Sequence, residues 1–285
     1  MKDKIVLITG SSSGIGKATA LALAKLGATI LIVSRNEQRG QKALKDIQAQ
    51  SQNTNIYFFS CDLSLMADVK SLAQEIKSKY DRIDVLINNA GILPGKHALT
   101  PEGLEVCWAT NYLSGFLLTL SLMDLLMQSV SARIINVSSE AHRLGQLNIE
   151  QQASPEKYSS FTAYCDSKFA NILFTYELSR RLELTNITVN CLHPGVIASN
   201  FGTTAYGMVK WLFRLTRPLM KSAKQGATTV VYLATSLEVA GITGKYFKNK
   251  KAVKSAKETY STHLARRLWK FSEEQTGLVT DEDEG

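Results

Sequence analysis

The sequence predicts an α/β protein built on a doubly wound, mostly parallel sheet of about seven strands with helices on both faces. Three observations carry this. Short apolar, β-branched runs alternate along the chain with stretches whose apolar residues recur at helical spacing, the pattern of repeated strand–helix–strand units. The runs are apolar throughout rather than every second residue, as in strands covered on both faces. A glycine-rich turn joins the first run directly to the first helical stretch, as a tight parallel crossover requires.

Taken in order, the strand segments are 4–9, 29–34, 55–60, 85–89, 133–138 and 188–192, and the helical segments are 15–27, 37–50, 65–79, 101–128 and 160–184. Two irregular stretches, 140–160 and 198–225, follow strand ends at the edge where such sheets bind ligands. They are candidate substrate-shaping loops. No internal repeat and no linker interrupts the chain.

A chain of 285 residues with 45% apolar content can bury one substantial core. The net charge of +8 is scattered except in 210–221 and 245–257, and no nucleic-acid motif accompanies either cluster, which argues against a nucleic-acid partner. Cys61, Cys107, Cys165 and Cys191 form no C-x-x-C pair, and no His/Cys group has metal spacing. Four reduced thiols, no metal and a cytoplasmic location are expected. Ile5-Val6-Leu7-Ile8 is too short for a signal or a membrane span.

The strongest motif is Thr9-Gly10-Ser11-Ser12-Ser13-Gly14-Ile15-Gly16, leaving a strand and opening a helix. Gly10 permits the turn, while Gly14 and Gly16 allow backbone to approach a pyrophosphate, which the helix N-terminus then holds through unpaired N–H groups. The second strand ends at Ser34-Arg35, with no acid to accept from a ribose 2′-hydroxyl and a guanidinium suited to a 2′-phosphate. Arg39 lies one helical turn on. Tyr164-Cys165-Asp166-Ser167-Lys168 puts a phenol and an ammonium on one helix face, so the cation favours the phenolate and Tyr164 can serve as acid or base. Tyr206…Lys210 and Tyr246…Lys250 have the same spacing without that helix context and read as decoys. Ser138 and Ser139 end the fifth strand, and only one of them can face the cleft.

The G-x-x-x-G-x-G spacing, Asn88-Asn89-Ala90-Gly91 after the fourth strand, the Y-x-x-x-K helix and His193-Pro194-Gly195 together resemble the short-chain dehydrogenase/reductase superfamily over nearly the whole chain. The strings Arg133-Ile134-Ile135-Asn136-Val137-Ser138-Ser139, Asn171-Ile172-Leu173-Phe174 and Gly244-Lys245-Tyr246-Phe247 look like its retinol dehydrogenase-like branch. The resemblance implies a Rossmann-type fold in one domain over 1–275. Its cofactor half would be about 1–135 and its catalytic and substrate part about 136–275, before an acidic tail, 276–285, expected to be disordered. It implies an oxidoreductase that moves a hydride between NADP(H) and a lipophilic carbonyl or alcohol.

By the same resemblance Ser139, Tyr164, Lys168 and Asn111 are catalytic. The cofactor would be met by Gly10, Ser12, Ser13, Gly14, Ile15, Gly16, Arg35, Asp62, Leu63, Asn89, Ala90, Gly91, Tyr164, Lys168, Pro194, Gly195, Val196 and Ser199. Relatives pair through the helices near 101–128 and 160–184, so a homodimer is the partner the resemblance raises. His142 and His193 read as structural. Two rivals are a non-catalytic NADP(H)-binding sensor on the same fold, against which the complete catalytic set speaks, and a sugar-nucleotide epimerase, against which the glycine spacing speaks. Segment 206–221 carries Lys210, Arg214, Arg217 and Lys221 on one helical stripe beside Trp211, Leu212 and Phe213, the pattern of an apolar lid that also meets an anionic membrane surface.

Overall fold

The computed structural model describes residues 1–147, 158–196 and 222–278. One eight-stranded sheet runs through them in the order β3-β2-β1-β4-β5-β6-β7-β8. The strands are β1 (Ile5–Thr9), β2 (Thr29–Ser34), β3 (Ile56–Ser60), β4 (Val85–Asn88), β5 (Arg133–Val137), β6 (Thr188–His193), β7 (Lys245–Lys248) and β8 (Lys251–Val253). All pair in parallel except β7 with β8. That last pair turns at Asn249 and Lys250, both in the left-handed region at φ 50° and 64°, as a two-residue hairpin needs. Its antiparallel strand is the one added to the seven expected.

The main helices are α1 (Gly14–Lys25), α2 (Glu37–Ser51), α3 (Met66–Lys79), α4 (Val106–Trp108), α5 (Ser114–Ser121), α6 (Met123–Met127), α7 (Ser160–Arg181), α8 (Ala223–Thr235) and α9 (Thr262–Thr276). They cover both faces, which is why Val6, Leu7, Ile8, Ile30, Leu31 and Ile32 are all buried in consecutive positions. One core lies between the sheet and α3, α5, α7 and α9, the other between the sheet and α1, α2 and α8. The strand order reverses between β1 and β4, so the carboxyl ends of these two strands open the crevice where a ligand binds in such sheets.

The expected helix over 101–128 is broken. Gly103 at φ 80° and the Thr100–Leu104 hydrogen bond make a turn of the first residues. The buried Glu105 carboxylate then caps α4 by accepting from the N–H groups of Cys107 and Trp108 at 3.0 and 2.7 Å. A π-helical turn, Ala109–Leu113, follows before α5. The end of the chain also differs from expectation. Gly277 closes α9 in the left-handed conformation at φ 60°, the Leu278 N–H returns to the Glu273 carbonyl at 3.1 Å, and Leu278 packs on the core. Residues 276–278 therefore belong to the folded body, and the acidic run Asp281 to Glu284 lies outside the described residues. Among the described residues no helix is long and apolar enough to cross a membrane.

Candidate active site

The glycine loop is built for close approach. Gly10 and Gly14 sit at φ 64° and 56°, and a Cβ on Gly10 would lie 2.8 Å from the Ala90 Cα. A Cβ on Gly16 would meet the Gly10 carbonyl at 2.5 Å and the Asn89 amide at 2.6 Å. Ser13 enters α1 in extended conformation without a side-chain cap, and no acidic residue occupies the first turn. The N-terminal N–H groups and the dipole of α1 are thus offered to an anion. Ser12 is half-buried and Ser13 exposed, while Ile15 packs on the core below.

Asn89 holds this loop instead of pointing from it. Its amide donates to the Thr9 carbonyl at 2.8 Å and to the Gly10 carbonyl at 3.3 Å. In return the Thr9 hydroxyl accepts the N–H groups of Asn89 and Ala90 at 2.9 and 3.0 Å. Thr9 opens the glycine motif, but its role as the clasp of β4 was not visible in the sequence. A threonine at a strand end looks like any β-branched residue, and only the parallel neighbour β4 gives it a role.

At the far end of β2 the Ser34 hydroxyl is buried and makes no hydrogen bond. Beside it Arg35 is 70% exposed and reaches only weakly, at 3.5 Å, to Asp62. Burial works against the Asp62 carboxylate, but hydrogen bonds from Ser64 and the Arg35 guanidinium hold it below the usual range. Arg39 stands in the first turn of α2, its N–H capped by Asn36 at 2.8 Å. The Leu63 side chain belongs to the core.

The chemical end forms where β4, β5, the π-turn and α7 meet. Lys168 is buried and its Nζ donates to the Val137 carbonyl at 2.9 Å, 5.7 Å from the centre of the Tyr164 ring. Burial pushes its pKa down to about 8. The Tyr164 and Ser139 hydroxyls are hydrogen-bonded, yet burial raises the phenol above its ordinary value. The phenolate expected at Tyr164 thus calls for positive charge beyond Lys168, which an oxidised nicotinamide would bring. Burial dominates on both groups, outweighing the Ser139 hydrogen bond at Tyr164.

Ser138 and Ser139 separate cleanly. Ser138 is buried with its hydroxyl donated to the Lys168 carbonyl at 2.7 Å. Ser139 is half-buried, and its Oγ accepts from the Ala141 N–H at 3.2 Å. The Asn111 side chain accepts from the Ile92 N–H at 2.7 Å and donates to the Ser167 hydroxyl at 3.1 Å. Gly91 lies between these groups: a Cβ there would stand 3.4 Å from Lys168 Nζ and 3.6 Å from Asn111 Oδ1. Gly195 turns the chain at φ 100° after β6, with Pro194 half-buried and Val196 exposed. Ser199, Tyr206 and segment 206–221 lie outside the described residues.

Both histidines are structural, as expected. His142 is buried with Nδ1 against the Ser139 carbonyl at 2.6 Å and Nε2 accepting from the Ala256 N–H at 3.0 Å, so it is neutral. His193 Nδ1 accepts from the Glu140 N–H at 3.2 Å. Tyr246 donates to Glu140 at 2.6 Å, while Lys250 lies over the Tyr232 ring at 5.9 Å, so this Y-x-x-x-K pair does not converge. Glu140 is a residue the sequence reading missed. It accepts from Tyr246 and Lys248 and anchors the segment leaving Ser139 to β7.

The family model for short chain dehydrogenases matches residues 4–208. The chain belongs to the short-chain dehydrogenase/reductase family and is an oxidoreductase of that class. Within it, the relatives place it in the retinol dehydrogenase-like branch. It is 39% identical to human retinol dehydrogenase 13, covering 96% of this chain and 85% of that one, and 38% identical to human retinol dehydrogenase 14, covering 98% and 88%. It is 36% identical to human polyprenol dehydrogenase, covering 97% and 86%. Among solved structures, an uncharacterised protein from Mycobacterium paratuberculosis superposes with TM-score 0.78 at 30% identity, covering 97% of this chain and 94% of that one. A short chain dehydrogenase from Escherichia coli CFT073, solved with NADPH, gives 0.68 at 25% identity, covering 87% and 96%.

Proposed function

We propose that this protein is an NADP(H)-dependent oxidoreductase that transfers a hydride between the nicotinamide and a lipophilic carbonyl or alcohol, with Tyr164 as acid–base. The observation that carries the reading is the grouping of Lys168 and Asn111 beside Gly91, with the Tyr164 ring 5.7 Å from Lys168 and its hydroxyl bonded to Ser139, next to a glycine cradle that any side chain would fill. The cradle, the uncapped start of α1 and the orphaned Ser34 hydroxyl next to Arg35 fit a dinucleotide with a 2′-phosphate. When bound, the nicotinamide supplies or accepts the hydride. The chain's own part is to hold the substrate oxygen and move a proton. Ser139 and Tyr164 share a hydrogen bond that a carbonyl oxygen can enter, taking a hydrogen bond from each hydroxyl. Tyr164 then gives its proton to the developing alkoxide, and the Lys168 ammonium nearby stabilises the phenolate left behind. That two of the relatives are named for retinol and polyprenol supports a long apolar substrate.

The test is turnover with a panel of retinoid and other lipophilic aldehydes and ketones under NADPH and NADH. The Tyr164→Phe variant should lose turnover by several orders of magnitude while still binding NADPH, and Tyr246→Phe should keep most of it. Arg35→Asp should remove the preference for NADPH. A Tyr164→Phe protein with near-native turnover, or a parent that binds both cofactors equally, overturns the corresponding half.

A further inference from the structure

The π-turn that carries Asn111 is gripped from outside by the last helix of the chain. Trp108 and Tyr112 stand either side of Asn111, four residues apart, and both point away from the site toward α9. Trp108 Nε1 donates to Gln275 Oε1 at 2.8 Å. Tyr112 and Ser272 are 2.7 Å apart, hydroxyl to hydroxyl, both buried. Because Ser272 gives its one proton to the Leu268 carbonyl at 2.7 Å, Tyr112 is the donor of that pair. Between these bonds Trp269 packs its ring edge-on to Phe116 at 5.1 Å and against Phe174 at 5.9 Å, with the Arg181 guanidinium over it at 4.0 Å. The result is visible on α7, where all residues from Cys165 to Leu178 are buried. The helix bearing Tyr164 and Lys168 is enclosed by the sheet on one side and by α9 on the other. A π-turn is a strained departure from regular helix that persists only where its surroundings hold it. Inside the site Asn111 is fixed to Ile92 and Ser167, and its backbone carbonyl accepts from Asn171 at 3.0 Å.

We propose that Ser272 and Gln275 of α9 are positioning residues for the reaction: they clamp the Asn111 π-turn in register with α7 from more than 150 residues away in sequence. This rests on the functional reading above. Two variants of the full-length protein test it, Ser272→Ala and Gln275→Leu, with Gln275→Glu as the rescue that keeps an acceptor for the Trp108 indole. Amide hydrogen exchange should quicken over 107–113 in the first two by about tenfold or more and return toward the parent rate in Gln275→Glu, with β1 and α1 unaffected. Turnover should fall about five- to twentyfold in the same two variants, with the Michaelis constant and NADPH affinity within about twofold of the parent. Unchanged exchange at 107–113 sinks the clamp whatever the activity. Quickened exchange with unaltered turnover sinks the positioning role. A parent with no turnover on any substrate counts against the functional reading instead, and the exchange data still decide the clamp. If both variants fail to fold, the Tyr112→Phe protein, which removes only one hydroxyl, carries the same expectations.

Discussion

Ser138 and Ser139 are adjacent, chemically identical and oppositely engaged, so replacing each by alanine separates stability from catalysis. Ser138→Ala removes a buried 2.7 Å hydrogen bond from β5 to the Lys168 carbonyl. That carbonyl keeps its intrahelical partner, so the loss is one ordinary buried hydrogen bond, about 1 kcal/mol, or about 2–4 °C in Tm for a chain of this size. Lys168 remains bonded to Val137, so turnover should change by no more than about threefold. Ser139→Ala removes the hydroxyl bonded to Tyr164 and a cap on the Ala141 N–H at 3.2 Å. The weak cap is worth about 0.5 kcal/mol. Loss of one preorganised donor at a reacting oxygen costs about 10²–10³ in turnover. Thermal melts and steady-state reduction of a lipophilic aldehyde, run on the same preparations, should therefore move in opposite proportions. If Ser138→Ala abolished turnover at native Tm while Ser139→Ala stayed active, the site would be facing the other way and the argument from the Ser138–Lys168 bond would be refuted.

Two more outcomes follow from close geometry and charge. Gly16→Ala puts a Cβ 2.5 Å from the Gly10 carbonyl and 2.6 Å from an Asn89 amide that is already tied to Thr9, so the loop must shift; about 1–3 kcal/mol of stability and at least about tenfold in NADPH affinity should go, by urea melts and calorimetric titration, and unaltered affinity would mean the loop does not bind the cofactor. Glu140 loses charge stability to burial but gains more from Tyr246, Lys248 and Arg143, which hold its pKa near about 2 against an ordinary 4.5. A carboxylate depressed in the folded state stabilises fully above about pH 5 and loses that contribution as pH falls toward 2. With a third of the side chain exposed, about 1–2 kcal/mol remains after screening. Glu140→Gln should thus be less stable than the parent at pH 7 by about that amount, with the gap shrinking below about pH 4 and nearly closed by about pH 2, whereas a gap constant with pH would show that the charge is irrelevant.

The parallel core was legible because its signal is local. Continuous apolar runs mark β1 to β6, and Gly10, Gly14 and Gly16 announce both the turn and its ligand. What escaped depends on contacts between distant segments. The β7–β8 hairpin turns on Asn249-Lys250, which lacks the glycine that usually flags such a turn. α8 begins with a capping box at Ser222 and Gln225, so the irregular stretch read over 198–225 ran past a helix start whose signal was in the sequence. The apolar period over 101–128 was real, since Trp108, Tyr112, Phe116 and Leu117 are all buried, yet period alone does not register the Gly103 turn or the π-turn that sets where Asn111 points. At the site, spacing pointed to Tyr164 and Lys168, and Asn111 came only from the family resemblance. Strand alternation said that only one of Ser138 and Ser139 faces the cleft and could not say which; the resemblance chose Ser139, and the physical reason is the bond from Ser138 to the carbonyl of Lys168, 30 residues away.

The surroundings of Tyr164 and Lys168 bear on the direction of the proposed reaction. Burial acts in opposite senses on the two groups, raising the Tyr164 phenol and lowering the Lys168 ammonium to about 8, because it penalises whichever form is charged. At neutral pH the phenol therefore keeps its proton and most of the lysine keeps its charge. That is the pair needed to reduce a carbonyl: a proton ready at Tyr164 and a cation near it that gains in value once the phenolate forms. Oxidation of an alcohol starts from the opposite state and must first take the proton from a phenol that its surroundings hold protonated. Lys168 is bonded to Val137 and sits 5.7 Å from the Tyr164 ring centre, near enough for its charge to favour a phenolate against the cost of burial. The positive charge of an oxidised nicotinamide is the further contribution that would tip the balance. On the proposed reading Tyr164 serves first as an acid, and its use as a base would draw on the positive charge of the oxidised cofactor.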